Sequence, residues 1–192
     1  MRGAIVVGAA VLAAAGCGGG AAKRDAITTS AAPKLVLQPS QLGPAFTQFD
    51  GGKQVLADRP PGPRFDTTRF GRVGGWKSRF KRAGDATTRG PLVVESRLDL
   101  FADDDGAKKD YGAYLLQYHD AAGRALGGLG DEAHSFTFTT GSGQFEVRYY
   151  TVAWRERNAT GSVSINGFDG RLTLTDALKL ARAQERGMAT AR

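Results

Sequence analysis

Leu92-Val93-Val94-Glu95-Ser96-Arg97-Leu98-Asp99-Leu100-Phe101, followed by Ala102 and Asp103-Asp104-Asp105-Gly106-Ala107, is where the chain changes period. In the first ten residues Leu92, Val94, Ser96, Leu98 and Leu100 face one way. Val93, Glu95, Arg97 and Asp99 face the other. Period two with one apolar side predicts a strand with one buried face. Beyond the three aspartates the period becomes helical. Ala107, Tyr111, Tyr114, Leu115 and Tyr118 recur on one stripe. The carboxylates ahead of them suit the positive end of a helix dipole.

Working upstream, Trp76, Ser78 and Phe80 alternate with Lys77, Arg79 and Lys81. Turn residues Gly84-Asp85 and Gly90-Pro91 separate this run from the first, so the two predict a hairpin. Its polar side would set basic residues against Glu95 and Asp99, a favourable cross-strand pairing. Downstream, Ser135–Thr140, Gln144–Arg155 and Ser162–Asn166 read as strands. Gly141-Ser142-Gly143 and Arg157-Asn158-Ala159 read as their turns. Thr173-Leu174-Thr175-Asp176 matches a capping box. Leu174, Ala177, Leu178, Ala181 and Met188 then continue an apolar stripe. The order of strands, helix, three strands, helix predicts an α+β fold: an antiparallel β-sheet with helices packed on one face, a two-layer sandwich.

The chain has 192 residues, 26 Lys+Arg, 19 Asp+Glu and one cysteine, Cys17. A single thiol excludes an internal disulfide and a cysteine-rich zinc site. A hydrophobic fraction of 41% excludes a disordered chain. Ahead of the cysteine, Arg2 precedes an uncharged stretch from Ala4 to Ala15. Twelve helical residues reach roughly 18 Å, short of a bilayer core of about 30 Å. This is the pattern of an export signal over residues 1–16, not of a transmembrane anchor.

Ala14-Ala15-Gly16-Cys17 resembles a bacterial lipobox. The resemblance implies that the leader is removed before Cys17 and that the Cys17 thiol carries a lipid. Residues 17–33, mostly Gly, Ala, Ser and Thr, then read as a flexible tether. An extracytoplasmic domain is expected over residues 34–192, opening on Leu35-Val36-Leu37 and one turn at Pro39-Ser40-Gln41. Residues 50–75, with Pro60-Pro61-Gly62-Pro63, read as a long irregular surface excursion.

A second resemblance rests on Gly130-Asp131-Glu132-Ala133, Trp154-Arg155-Glu156-Arg157-Asn158, Val163, Thr175-Asp176-Ala177 and Leu180-Ala181-Arg182. These are similar to segments of uncharacterised actinobacterial extracytoplasmic lipoproteins, among them those like the sensor domains of mycobacterial receptor kinases. The resemblance implies an envelope-exposed ligand or partner domain and no defined activity. The kinase sensor domains carry disulfides, and this chain has no cysteine after Cys17.

No catalytic set emerges. Asp103-Asp104-Asp105-Gly106 fails the calcium-loop pattern, because Phe101 and Gly112 stand where carboxylates are required. Thr140 and Gln144 replace the glycines a nucleophile elbow needs around Ser142. Gly128, Gly130 and Ala133 follow a helix and precede a strand, the reverse of a dinucleotide site. His119 and His134 lack companions at metal-ligand spacing, and neither a metal nor a cofactor is expected.

Two surfaces stand out. Residues 34–90 carry a charge of +7 and residues 91–192 carry −2. Arg69, Arg72, Lys77, Arg79, Lys81 and Arg82 therefore form a candidate surface for anionic lipid or an acidic wall polymer. An export signal argues against nucleic acid as the partner. Tyr111, Tyr114 and Tyr118 are candidates to line a pocket over the sheet. The expected function is that of a membrane-anchored envelope lipoprotein with a non-enzymatic partner- or ligand-binding domain. A lipid or small-molecule carrier and an enzyme with an unrecognised site are the alternatives.

Overall fold

A computed structural model describes residues 25–55, 62–64 and 68–191. The export signal, Cys17 and the first part of the tether lie outside the described residues. Seven strands form one antiparallel sheet in the order β1-β2-β3-β7-β6-β5-β4. They are β1 (Thr47–Lys53), β2 (Arg72–Lys81), β3 (Val93–Phe101), β4 (Ala122–Leu126), β5 (Glu132–Thr140), β6 (Val147–Glu156) and β7 (Ala159–Phe168). Helix α1 (Asp104–Gln117) follows β3, and α2 (Leu174–Thr190) follows β7.

The local signals act as read. Asp103 caps α1 by accepting from the Gly106 amide at 2.8 Å. Thr173 and Asp176 cap α2 reciprocally. β2 and β3 form the expected hairpin, with Arg79 opposite Glu95. Glu156 pairs with Ala159 across a two-residue turn, and Arg157 takes φ 54° there, as primed hairpin turns require.

The class is α+β with an antiparallel sheet, but the two helices do not share a face. Ser96 on β3 donates to Gln184 of α2 at 2.6 Å. Thr160 on β7 donates to Asp110 of α1 at 2.6 Å. Ser96 pairs with Val163 in the ladder, three residues from Thr160, so these two side chains project from opposite sides. The sheet is thus the middle of three layers. The reason is that both sides of β3 are buried: Leu98, Asp99, Leu100 and Phe101 are all 2% exposed or less. Asp99 is held there by arginines, which sequence alternation cannot show.

The α2 face is the larger core. Phe80, Val94, Leu98, Val152, Trp154, Val163 and Ile165 meet Ala177, Ala181 and Met188 on it. Gly161 is required at its centre, since a Cβ there would lie 2.5 Å from the Trp154 ring. The N-terminal segment completes this face. Ile27, Ala32, Leu35, Val36 and Leu37 are buried, and a 3-10 turn spans Thr29–Lys34. The tether expected to run to Pro33 is therefore shorter, because the chain is packed from Ile27 onward. One polar chain crosses the core: the Leu37 amide donates to Ser96 Oγ at 2.9 Å, and Ser78 donates to the Leu37 carbonyl at 2.8 Å. Gln184 in turn donates to the Arg97 carbonyl at 2.9 Å.

β4 is absent from the sequence reading. Ala122-Gly123-Arg124-Ala125-Leu126 has no alternation and no β-branched residue. It forms an edge strand on β5 because β5 offers it a ladder from Ala133 to Thr137.

Candidate functional site

The α1 face is built from charge and aromatic rings. Over one half of the strands α1 closes it. Asp110, fully buried, accepts from Arg64 Nε at 3.0 Å and Nη2 at 2.9 Å, and from Thr160. Arg64 Nη2 also reaches Asp99 at 3.2 Å, and Arg72 Nε bonds Asp99 at 2.6 Å. The Arg64 guanidinium lies 3.9 Å from the Tyr114 ring centroid. Burial opposes its charge, but Asp110 and Asp99 outweigh that and raise its pKa.

The other half of this face is open. A groove of about 320 Å³ is lined by Arg79, Glu95, Tyr118, Phe138, Tyr149, Thr151, Ser164 and Asn166. Four strands supply its floor because alternate residues of β3, β7, β6 and β5 project the same way. Tyr118, at the C-terminal cap of α1, forms one wall. The rings form a continuous rail. Tyr114 and Tyr118 stack at 5.5 Å, Tyr118 and Phe136 at 4.9 Å, and Phe138 and Tyr149 at 4.8 Å. Opposite the rail, Arg79 Nε lies 3.0 Å from Glu95, and Arg97 bonds the same carboxylate at 2.5 Å. Between them Thr151 Oγ1 and Ser164 Oγ are 2.8 Å apart. The Tyr118 hydroxyl has a raised pKa, from the neighbouring Tyr114 first and burial second, so it remains a neutral donor at physiological pH.

The candidate pocket residues divide. Tyr118 reaches the groove. Tyr114 is 4% exposed and packs with Phe136 and Ala153 beneath α1. Tyr111 is buried as well, and burial followed by Glu132 pushes its hydroxyl up to about 12. The space under the helix is filled by side chains.

Three of the six candidate basic residues, Arg72, Lys77 and Arg79, are paired with carboxylates. Lys77 bonds Asp50 at 2.9 Å, and Arg79 lies 3.6 Å from the same carboxylate. The Lys77 hydrogen bond is the main cause of a lowered Asp50 pKa. Arg72 is bound to Asp99. Arg82 donates to the Pro91 carbonyl at 2.7 Å and to the Arg89 carbonyl, and lies over the Phe46 ring. Lys81 lies 5.5 Å from the Phe49 ring. The Arg69 side chain lies outside what is described. Among the described residues no group of three His, Cys, Asp or Glu could hold a metal ion.

Two of the segments behind the sequence resemblance, residues 130–133 and 154–158, meet at one junction. Asp131 Oδ2 accepts from the Arg157 amide at 2.9 Å and lies 3.2 Å from Arg155 Nη1. Glu132 bonds Arg155 at 3.1 Å. The Arg157 side chain donates to the carbonyls of Asp25 at 2.7 Å, Ala191 at 3.0 Å and Met188. Asn158 brackets Ile27 with two hydrogen bonds and reaches the Phe101 carbonyl at 2.9 Å. These residues tie chain segments together and are remote from the groove.

No family model matches the chain, and no curated protein matches it. Among solved structures it is similar to the extracellular domain of PknH from Mycobacterium tuberculosis. The TM-score is 0.55 at 10% identity, over 84% of this chain and 96% of that one. At that identity the likeness shows a shared α+β fold.

Proposed function

We propose that the chain is an extracytoplasmic, non-enzymatic binding domain whose ligand occupies the groove beside Tyr118. The observation that carries this is the groove's lining: aromatic faces on one side, hydroxyls, an amide and an ion pair on the other. Such a lining suits a compact molecule with one apolar face and a hydroxyl- or amide-bearing edge, and the volume lies at the lower end for small-ligand sites. The resemblance to an extracellular domain by fold supports a place outside the cytoplasm. No helix among the described residues is long and apolar enough to cross a membrane. Attachment to the membrane is through lipid on Cys17, a reading supported by the lipobox-like sequence. An open groove, with rings filling the space beneath α1, favours reversible binding over carriage inside a closed cavity. Anionic lipid or wall polymer belongs to this reading as a partner of the domain's surface, and nucleic acid does not.

The test is mass spectrometry of the full chain under native conditions after gentle purification from its membrane. A bound molecule is expected on the wild type and absent from Tyr149→Ala with Phe138→Ala. A molecule retained equally by the variant, or no molecule on wild type incubated with envelope extract, overturns the groove as the site. Unchanged membrane fractionation of Cys17→Ser overturns the anchor.

A further inference from the structure

Arg72, Lys77, Arg79 and Arg97 of β2 and β3 are spent on acidic neighbours, but another set of cations on one helix is not. The exposed positions of α2 include Lys179, Arg182, Arg186 and Ala189. Their spacing of three and four residues places them on one stripe. None of the three cations has an ion-pair partner among the described residues. The opposite side of α2, through Ala177, Ala181, Gln184 and Met188, is buried on the sheet. The helix thus presents a cationic outer face with nothing opposite it.

The position of the chain's entry gives this face a partner. One Arg157 nitrogen binds the carbonyls of both Asp25 and Ala191 at 2.7 and 3.0 Å, so those two oxygens are within about 6 Å of each other. The tether therefore enters the domain beside the C-terminal end of α2. Asp25 is only eight residue steps beyond Cys17. Eight residues span at most about 29 Å extended and roughly 14–17 Å on average. At 1.5 Å per residue, Arg186 is about 7.5 Å from Ala191 along the helix and Lys179 about 18 Å. A lipid on Cys17 thus brings the whole stripe within reach of the headgroups.

We propose that the outer face of α2, through Lys179, Arg182 and Arg186, rests on the anionic headgroups of the membrane that anchors the chain. Charge complementarity and the short tether act together, since basic residues held near an anionic surface are drawn to its headgroups. The opposite side of the sheet, with the ligand groove, then faces away from the bilayer. This inference rests on the lipid-anchor reading.

The experiment uses the full lipidated chain in vesicles of neutral phosphatidylcholine with about a third phosphatidylglycerol, where charged lipid attracts basic residues. Cys17 is the chain's one natural cysteine, and once acylated it leaves an introduced thiol as the sole labelling site. A fluorophore on Ala189→Cys should be strongly quenched by headgroup-labelled lipid. One on Leu116→Cys, exposed on α1, should not. Lys179→Gln with Arg182→Gln and Arg186→Gln should abolish the difference, and unanchored variant should bind these vesicles roughly tenfold to a hundredfold more weakly. Lys77→Gln with Lys81→Gln, on the other side of the sheet, should leave both unchanged. Equal quenching at the two sites, or a difference that survives the α2 substitutions, overturns the docking. Shielding of the Ala189 label by soluble polyphosphate and not by the bilayer overturns it in favour of a wall polymer. Absence of lipid on Cys17 by mass spectrometry overturns the anchor itself, a separate outcome.

Discussion

The two faces of the sheet bury polar groups by different means. Under α2, Ser78, Ser96 and Gln184 are neutral and are satisfied in one short chain from Leu37 to Arg97. Under α1, Asp99, Asp110, Arg64 and Arg72 are charged. Ions taken from water need close, multiple partners, and only a planar guanidinium forking between carboxylates supplies them. The difference separates tasks. The α2 face carries the larger apolar cluster and sets the core. The α1 face is sealed over half its length, and its charges continue outward as Arg79, Glu95 and Arg97 into the groove.

The largest test of this contrast is Asp110→Ala. It removes two of the hydrogen bonds that hold the buried Arg64 guanidinium and the acceptor of Thr160, and should cost about 3–5 kcal/mol, read as a fall in urea midpoint. Adding Arg64→Met should recover most of the loss. A single-variant loss below about 1 kcal/mol would mean that the charges do not hold the α1 layer. Next is Gln184→Ala, which removes the acceptor of the Ser96 hydroxyl and the donor to the Arg97 carbonyl. It should cost about 1–3 kcal/mol without altering ligand binding in the groove, and a lost ligand would join the two faces functionally. Smallest is a pH effect on the α1 side. His134 packs on Phe136 at 4.9 Å, and burial lowers its pKa. The unfolded chain then takes up its proton at higher pH than the folded one. Stability from this group is therefore complete above its ordinary value of about 6.5 and declines as pH falls through it. His134→Gln should flatten the denaturation midpoint between pH 8 and pH 5, and an unchanged slope would assign the dependence elsewhere.

The sequence made the backbone of this fold legible wherever period and capping agreed. Alternation at residues 92–101, the aspartates ahead of α1 and the Thr173 box each mark an element found in place. What escaped had no local signature. β4 is Gly/Ala-rich and owes its conformation to β5. Ile27 reads as part of a small-residue tether, and only Asn158, 131 residues away, marks it as packed. Arg64 lies in a proline-rich loop without periodicity, yet it pairs with both Asp99 and Asp110 and so joins β3 to α1. The groove was legible only at Tyr118. Phe138, Tyr149, Thr151 and Ser164 come from three strands whose register no single segment encodes. The basic cluster of β2 was visible as composition, but its neutralisation by Asp50 and Glu95 depends on pairing across strands. The cations of α2 were diluted there in a half of the chain with net negative charge.

The Arg157 clamp also has a mechanical meaning. Because one guanidinium holds both Asp25 and the end of α2, a pull on residue 25 is met at that corner by Arg157 and by the paired hydrogen bonds of Asn158 to Ile27. A chain held from ahead of residue 25 would thus be gripped at one corner of the domain, at the turn between β6 and β7, away from the end of the sheet that shapes the groove.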